Sequence, residues 1–208
     1  MYPQDFKAPF IDRSQIWREA DAFRERYWPS GTIPVDVLTI AEFELDLEIR
    51  PVSRMREEED IDALLLGDWQ TLMVDQRHYM DDRYLSRLRF SVAHELGHYV
   101  LHRSIFEQMP RGSIEEWVRF TLNLPDKEYG FLEYHAYEFA GRFLVPPAKL
   151  ASEFEAAISQ AERSGLRRSE LRDERHMGYL AKPIAAKFAV SGDVIERRLT
   201  KEGLWPPR

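Results

Sequence analysis

The stretch Arg89-Phe90-Ser91-Val92-Ala93-His94-Glu95-Leu96-Gly97-His98-Tyr99-Val100-Leu101-His102 carries the clearest structural pattern in this sequence. Its apolar residues recur at helical spacing, which predicts an α-helix over residues 86–102. Because successive helical residues are rotated by about 100°, His94 and His98 fall one turn apart on the same face. The sequence therefore predicts two imidazoles that can reach one common point.

This segment also contains the H-E-x-x-H pattern, which is typical of zinc sites in hydrolases. Neutral imidazole is a good zinc ligand, so we expect His94 and His98 to bind the metal. Glu95 can reach a water molecule at the metal, and we expect it to act as the general base. The competing interpretation is that both histidines belong to an ordinary amphipathic helix.

A catalytic zinc site usually has a third protein ligand, and the segment after residue 130 offers three candidates. Helical phase places Glu133 among the inward-facing apolar residues, Glu138 on the opposite side and His135 at the edge. Glu133 is then the only carboxylate that points inward, and we prefer it over His135. The alternative for Glu133 is a carboxylate in the first helical turn that the helix dipole favours.

Positions are also expected for a glycine and three histidines that are not candidate ligands. Gly97 costs a helix about 1 kcal/mol relative to alanine, so either another backbone or a substrate approaches it, or it is a packing glycine. His102 is expected to pack behind the ligands, because a fourth protein ligand would displace water from the metal. His78 and His176 are expected at the surface.

Composition excludes several classes of function. The 208 residues are 44% hydrophobic and 31% charged, which is typical of a globular protein. With no cysteine, disulfides, thiolate catalysis and cysteine-bound metals are impossible. A net charge of −7 disfavours direct nucleic-acid binding. No apolar run long enough to cross a membrane and no secretory signal are visible, so we expect a cytoplasmic protein.

The order of predicted elements indicates an α+β fold, with strands early and helices late. Strands are expected at 47–50 and 70–74, on either side of a charged loop at 57–60. Helices are expected at 14–28 (with Ser14 as N-cap), 34–46, 86–102, 114–122, 131–145, 147–163 and 176–189. We expect one domain over 1–208, with a helical extension (1–30), the sheet and both ligand helices (31–146), and C-terminal helices (147–208).

The motif helix, together with Glu133, Ala136 and Phe139-Ala140, closely resembles the ImmA/IrrE family of zinc metallopeptidases, over about residues 14–205. The resemblance implies a mainly helical, zincin-like domain of the gluzincin type, with a small N-terminal twisted sheet and Zn²⁺ as cofactor. The family pattern E-x-x-A-N-x-F-A implies Glu133 as the third ligand. This chain has Tyr137 where Asn is usual.

The same resemblance implies a zinc-dependent endopeptidase that cleaves a protein substrate, a helix-turn-helix transcriptional repressor. The sequence identifies no substrate-binding residue, although a strand over 70–74 could pair with an extended substrate. Five residues have the chemistry to stabilise the oxyanion and are not distinguished by sequence: Tyr134, Tyr137, Arg142, His176 and Tyr179.

Two other functions stay open from sequence. One is a non-proteolytic anti-repressor, or partner-binding module, in which the metal is structural. The other is a DNA-reading helix-turn-helix at 184–199, which the acidic net charge disfavours. The second hypothesis rests on four basic residues: Lys182, Lys187, Arg197 and Arg198.

Overall fold

The N-terminal part of the chain combines short helices with three strands; the computed structural model describes residues 5–106 and 123–207. The elements of this part are α1 (Arg13–Tyr27), α2 (Val37–Thr39), a π-helical turn (Ile40–Glu44), β1 (Glu48–Val52), α3 (Met55–Glu59), β2 (Ala63–Leu65), β3 (Thr71–Asp75), α4 (Gln76–Met80) and a 3₁₀ turn (Asp82–Tyr84).

The rest of the described chain is helical. Its elements are α5 (Leu85–Phe106), α6 (Asp126–Leu144), α7 (Pro147–Arg163), two 3₁₀ turns (Glu170–Arg172 and Glu174–His176), α8 (Met177–Phe188) and α9 (Gly192–Lys201). The fold is therefore α+β and mainly helical, with a small N-terminal sheet, as predicted. The predicted helix at 114–122 lies outside the described residues. No helix in the described ranges is long and apolar enough to span a membrane.

The sheet has the strand order β1-β3-β2, so β3 is its central strand. β1 runs parallel to β3, with Glu48 opposite Thr71, and β2 runs antiparallel to it, with Ala63 opposite Val74. The predicted strand at 70–74 thus exists but has partners on both sides. The hypothesis that it pairs with a substrate is wrong, because its edges are already occupied.

Helix α5 lies at the centre of the molecule, with β2 and α6 packed against it. Leu88, Val92, Ala93 and Leu96 are fully buried. Because α5 is packed against other elements on more than one side, its apolar residues extend beyond a single stripe. The motif histidines therefore occupy a rigid position between the sheet and α6.

Helices α5 and α6 approach each other closely at Gly97. A Cβ atom on Gly97 would lie 2.9 Å from the Ala136 Cα, 3.1 Å from the Ala136 oxygen and 3.2 Å from the Phe139 Cβ. Such distances leave no room for a side chain. The expectation that another backbone approaches Gly97 is confirmed.

Helix α1 is held against α6 by Ile16, Ala20 and Phe23, which are all buried. The predicted N-cap Ser14 is wrong, because the Asp12 carboxylate accepts the Ser14 N–H at 2.8 Å and the Gln15 N–H at 3.1 Å. A carboxylate accepts both amide protons at once, and so the helix begins one residue earlier than predicted.

Two other N-terminal predictions differ from the structure. The helix predicted over 34–46 is only α2, followed by the π-helical turn, with Asp36 accepting the Thr39 N–H at 3.2 Å. The charged loop predicted at 57–60 lies mostly within α3, where Arg54 pairs with Glu57 and Glu58. Charge pairs one turn apart support this short helix.

Helices α8 and α9 form the predicted helix–turn–helix at the C-terminal end. Arg198 is only 3% exposed, and its guanidinium lies 4.7 Å from the centre of the Trp17 ring on α1. A side chain covered in this way cannot reach a DNA phosphate. The structure thus removes one of the four basic residues on which the DNA-reading hypothesis depends.

We expect Gly97→Ala to lower the free energy of unfolding by about 1–3 kcal/mol, because the added methyl meets the Ala136 backbone and overpacks the interface. The roughly 1 kcal/mol gain in helix propensity is too small to reverse this. Gly130→Ala in α6 is the matched control, because a Cβ there meets nothing within 4 Å and should stabilise. Urea denaturation of both variants measures the difference, and equal stabilisation would contradict it.

Candidate metal centre

The candidate metal centre lies where the middle of α5 faces α6. His94 and His98 project from α5 one turn apart, and Glu133 projects from α6. Helix α6 begins at Asp126, so Glu133 lies well beyond the first turn. The alternative reading of Glu133 as a first-turn carboxylate is wrong, because the dipole effect fades within that turn.

Four potential ligand atoms from three residues converge at this point. The Nε2 atoms of His94 and His98 are 3.1 Å apart, and the Glu133 carboxylate oxygens lie 3.2 Å from the first and 3.4 Å from the second. Zinc bonds of about 2.0–2.1 Å at tetrahedral angles separate neighbouring ligand atoms by about 3.3 Å. The three observed separations, two of which involve different oxygens of the Glu133 carboxylate, are close to this value.

Burial and charge act together on these residues. The side chains of His94, His98 and Glu133 are 11%, 17% and 26% exposed. Burial raises the pKa of Glu133, but hydrogen bonding to both imidazoles outweighs burial and leaves this pKa below its ordinary value. Burial lowers the pKa of His98, yet Glu133 and Glu95 reverse the effect and raise it. The Glu133 carboxylate and the His98 imidazole therefore stabilise each other's charge.

Glu95 lies beside the ligand atoms and is held by the sheet. Its Oε2 accepts the backbone N–H of Leu65 in β2 at 2.9 Å. One ligand atom each from His94, Glu95 and His98 lie within 4.8 Å of one another, so the carboxylate is close to the convergence point. Burial raises the pKa of Glu95, against the lowering effect of both histidines.

Glu138 is also buried, with only 3% of its side chain exposed. It accepts the Trp17 indole N–H at 3.2 Å and pairs with Lys201. The expectation that Glu133 is the only inward-facing carboxylate is therefore wrong. Helix α1 and the C-terminal residues cover the side of α6 that carries Glu138, and Lys201 compensates its charge.

His135 does not reach the convergence point, and it is 2% exposed. Its Nδ1 lies 3.2 Å from Nε2 of His102, which is fully buried behind His98. Burial, with smaller contributions from neighbouring imidazoles, lowers the pKa of His102 to about 2. The packing position predicted for His102 thus agrees with the structure, and the alternative ligand His135 lies behind the site.

His78 is buried, contrary to the expectation of a surface residue. It is 6% exposed, its ring stacks on Tyr84 at 4.5 Å, and its Nδ1 lies 2.9 Å from the Asp62 carboxylate. His176 is only partly exposed, in a 3₁₀ turn before α8. Neither histidine belongs to the converging group.

Tyr137 lies at the position where the family pattern has Asn, and its ring packs against that of His94. The centres of the Tyr137 and His94 rings are 4.6 Å apart, in an edge-on arrangement. The centres of the Tyr137 and Phe90 rings are 5.9 Å apart. Among the described residues, His94 Nδ1 is buried and has no hydrogen-bond partner. Apart from the contacts of its Nε2 atom, the orientation of this imidazole therefore depends on aromatic packing.

A cavity of about 630 Å³ is lined in part by the converging residues, and its volume lies in the usual range for ligand sites. Strand β2 forms one wall of it, and Tyr129 and Tyr137 lie on another. Further lining residues that carry charge are Arg56, Glu59, Asp60, Asp62 and Arg87.

Of the five sequence candidates for oxyanion stabilisation, Tyr137 lines this cavity. Arg142 is held by Asp21 at 2.5 Å and Glu202 at 2.6 Å, away from the metal centre. Tyr129, which sequence reasoning missed, hydrogen-bonds to Glu133 and lies in the cavity wall. Its position four residues before Glu133 is the signal that could have identified it.

The fold and the converging residues form a candidate metal site within an H-E-x-x-H segment. The sequence matches the IrrE N-terminal-like domain of peptidase family M78 over residues 81–200, which is more than half of the chain, and the chain belongs to this family. The match begins just before α5, so α1 and the sheet precede it. A comparison with curated proteins finds no match. Family membership supports a metallopeptidase type of function.

We expect Glu133→Ala to weaken zinc binding by more than about 100-fold, beyond the loss typical of residues that only support a ligand. Glu138→Gln is the matched control, since it alters the other buried carboxylate of α6 and should leave zinc affinity unchanged. It should instead lower the free energy of unfolding by roughly 1–3 kcal/mol through Trp17 and Lys201. Competition with a chromophoric chelator gives both affinities, and unaltered binding by Glu133→Ala would exclude this ligand.

Proposed function

We propose that this chain is a zinc-dependent endopeptidase that hydrolyses a peptide bond in a protein substrate. The observation that carries the proposal is the convergence of His94, His98 and Glu133 to separations of 3.1–3.4 Å beside Glu95. Membership of a peptidase family supports the reaction type.

The residues that would hold zinc are His94, His98 and Glu133. Two imidazoles and one carboxylate form a donor set that suits Zn²⁺ and leaves one position open for water or substrate. A zinc ion held there would supply Lewis acidity, which polarises the scissile carbonyl and makes water a nucleophile at neutral pH.

Glu95 is the proposed general base. The Leu65 N–H holds one of its carboxylate oxygens at 2.9 Å, and among the described residues the other has no hydrogen-bond partner and could accept a proton from water. The same carboxylate then returns this proton to the departing amine, which needs a group close to both positions. The sheet therefore orients the base as well as forming a cavity wall.

Strand β2 is the proposed site of substrate pairing, in place of the central strand β3. The Asp75 N–H bonds to the Asp62 oxygen and the Leu66 N–H to the Thr71 oxygen, so alternate residues of this strand face β3. The backbone groups of Ala63 and the Leu65 carbonyl then face outward along the cavity, whereas the Leu65 N–H on the same edge is bonded to Glu95. An extended peptide could add to this edge by main-chain hydrogen bonds.

The proposed substrate is a helix-turn-helix repressor, as the family resemblance implies. An acidic protein with net charge −7 is electrostatically suited to a basic DNA-binding partner. Glu59, Asp60 and Asp62 line the cavity beyond the ligand residues, although Arg56 and Arg87 pair with part of this charge. Binding would occur through this face, with no direct contact to nucleic acid.

We expect Glu95→Gln to bind zinc as the unaltered protein does and to lower kcat by about 100- to 10,000-fold, the range of general-base catalysis. His94→Ala should lose both zinc and turnover, because it removes a ligand. Metal content and cleavage of a repressor encoded beside this chain are measured on the same samples.

Two outcomes of that experiment oppose the proposal. Cleavage by metal-loaded Glu95→Gln at the original rate would contradict the role of Glu95. Tight repressor binding without cleavage by the unaltered protein would instead support the non-proteolytic anti-repressor.

We expect Ala63→Pro to lower kcat/KM by about 3- to 10-fold, the value of one lost backbone hydrogen bond, while zinc affinity stays the same. Proline is tolerated in an edge strand where the N–H faces away from the sheet. Leu64→Pro is the control, because its N–H faces β3 and its loss should destabilise the fold. Unchanged kcat/KM for Ala63→Pro would exclude pairing at this position.

A further inference from the structure

Three imidazoles form a continuous chain behind the candidate metal centre. His98 Nδ1 lies 2.9 Å from His102 Nδ1, and His102 Nε2 lies 3.2 Å from His135 Nδ1. His102 is fully buried and His135 is 2% exposed. The ring of His98 thus faces the convergence point with one nitrogen and the histidine chain with the other.

The chain has a direction once the Nε2 atom of His98 binds a metal ion. A neutral imidazole carries one proton, so His98 must then be protonated at Nδ1 and donate from it. His102 accepts this proton at its own Nδ1 and must carry its proton at Nε2. It therefore donates to Nδ1 of His135, whose proton lies at Nε2.

We infer that His102 and His135 are positioning residues, which fix the ring orientation and the protonated nitrogen of His98 for metal binding. This inference rests on the metal site in the proposed function. Ligating histidines usually donate their second N–H to a carboxylate, a carbonyl or water. Here the acceptor is an imidazole, and a second imidazole accepts the proton on its other nitrogen.

The two ligand histidines differ in how they are held. Among the described residues, His94 Nδ1 has no hydrogen-bond partner, and its ring packs against Tyr137. His98 alone is joined to a hydrogen-bonded chain. Loss of the His102 acceptor would leave the buried His98 Nδ1–H unpaired, and this unpaired donor opposes the ring position that binding requires.

The test compares His102→Phe with His102→Asn. Phenylalanine keeps an aromatic ring but has no acceptor, so we expect zinc affinity to fall by about 10- to 100-fold. The Asn Oδ1 lies close to where the His Nδ1 lay and can accept from His98, so His102→Asn should recover most of the affinity. His78→Phe is the control for changing a buried histidine elsewhere, and it should bind zinc as the unaltered protein does.

Zinc dissociation constants are measured by chelator competition, and thermal melting of the metal-free variants shows whether each one folds. Equal losses in His102→Phe and His102→Asn would assign the effect to packing and overturn the inference. Unaltered affinity in His102→Phe would overturn it as well. If the unaltered protein bound no zinc, the metal site of the proposed function would be wrong. That result differs from zinc binding that is insensitive to His102, which would contradict only the positioning role.

Nitrogen-15 NMR of the unaltered, zinc-loaded protein tests the same inference without a variant. We expect His102 and His135 each to be protonated at Nε2 and unprotonated at Nδ1. A proton on Nδ1 of His102 would reverse the direction of the chain and overturn the inference, even where His102→Phe failed to fold.

Discussion

The close contact between helices α5 and α6 is the constraint on which the candidate site depends. At Gly97 the two backbones approach so closely that even a methyl group would not fit. Ala136, which faces Gly97, lies three residues after Glu133 and therefore on a neighbouring part of the same helical face. Because the helices meet in this turn, one carboxylate can lie between His94 and His98.

Compensation of buried charge explains why two glutamates of α6 have different surroundings. A carboxylate withdrawn from water needs a partner, and Glu133 finds two imidazoles while Glu138 finds Lys201 and the Trp17 indole. Burial alone therefore does not identify a metal ligand. What distinguishes Glu133 is that its partners are themselves metal-binding groups, aimed at the same point.

Local pattern predicted the helix that carries the motif, the common face of His94 and His98, and the inward direction of Glu133. Local pattern failed for features that depend on contacts with residues distant in the chain. Strand β2 has only three residues, too few for alternation to show, and its role as an edge follows from pairing with β3. His78 is buried because Tyr84 and Asp62 close over it.

The order of residues along one helix already gives the chemistry available to this protein: two imidazoles one turn apart, a carboxylate beside the first, and a glycine without a side chain between them. Helical geometry has a fixed period, so these relations hold before any tertiary contact forms. The contact of β2 with Glu95 and the connection from His98 through His102 to His135 depend on how distant segments pack together. These contacts join residues about 30 positions apart, and helical period carries no information across the intervening chain.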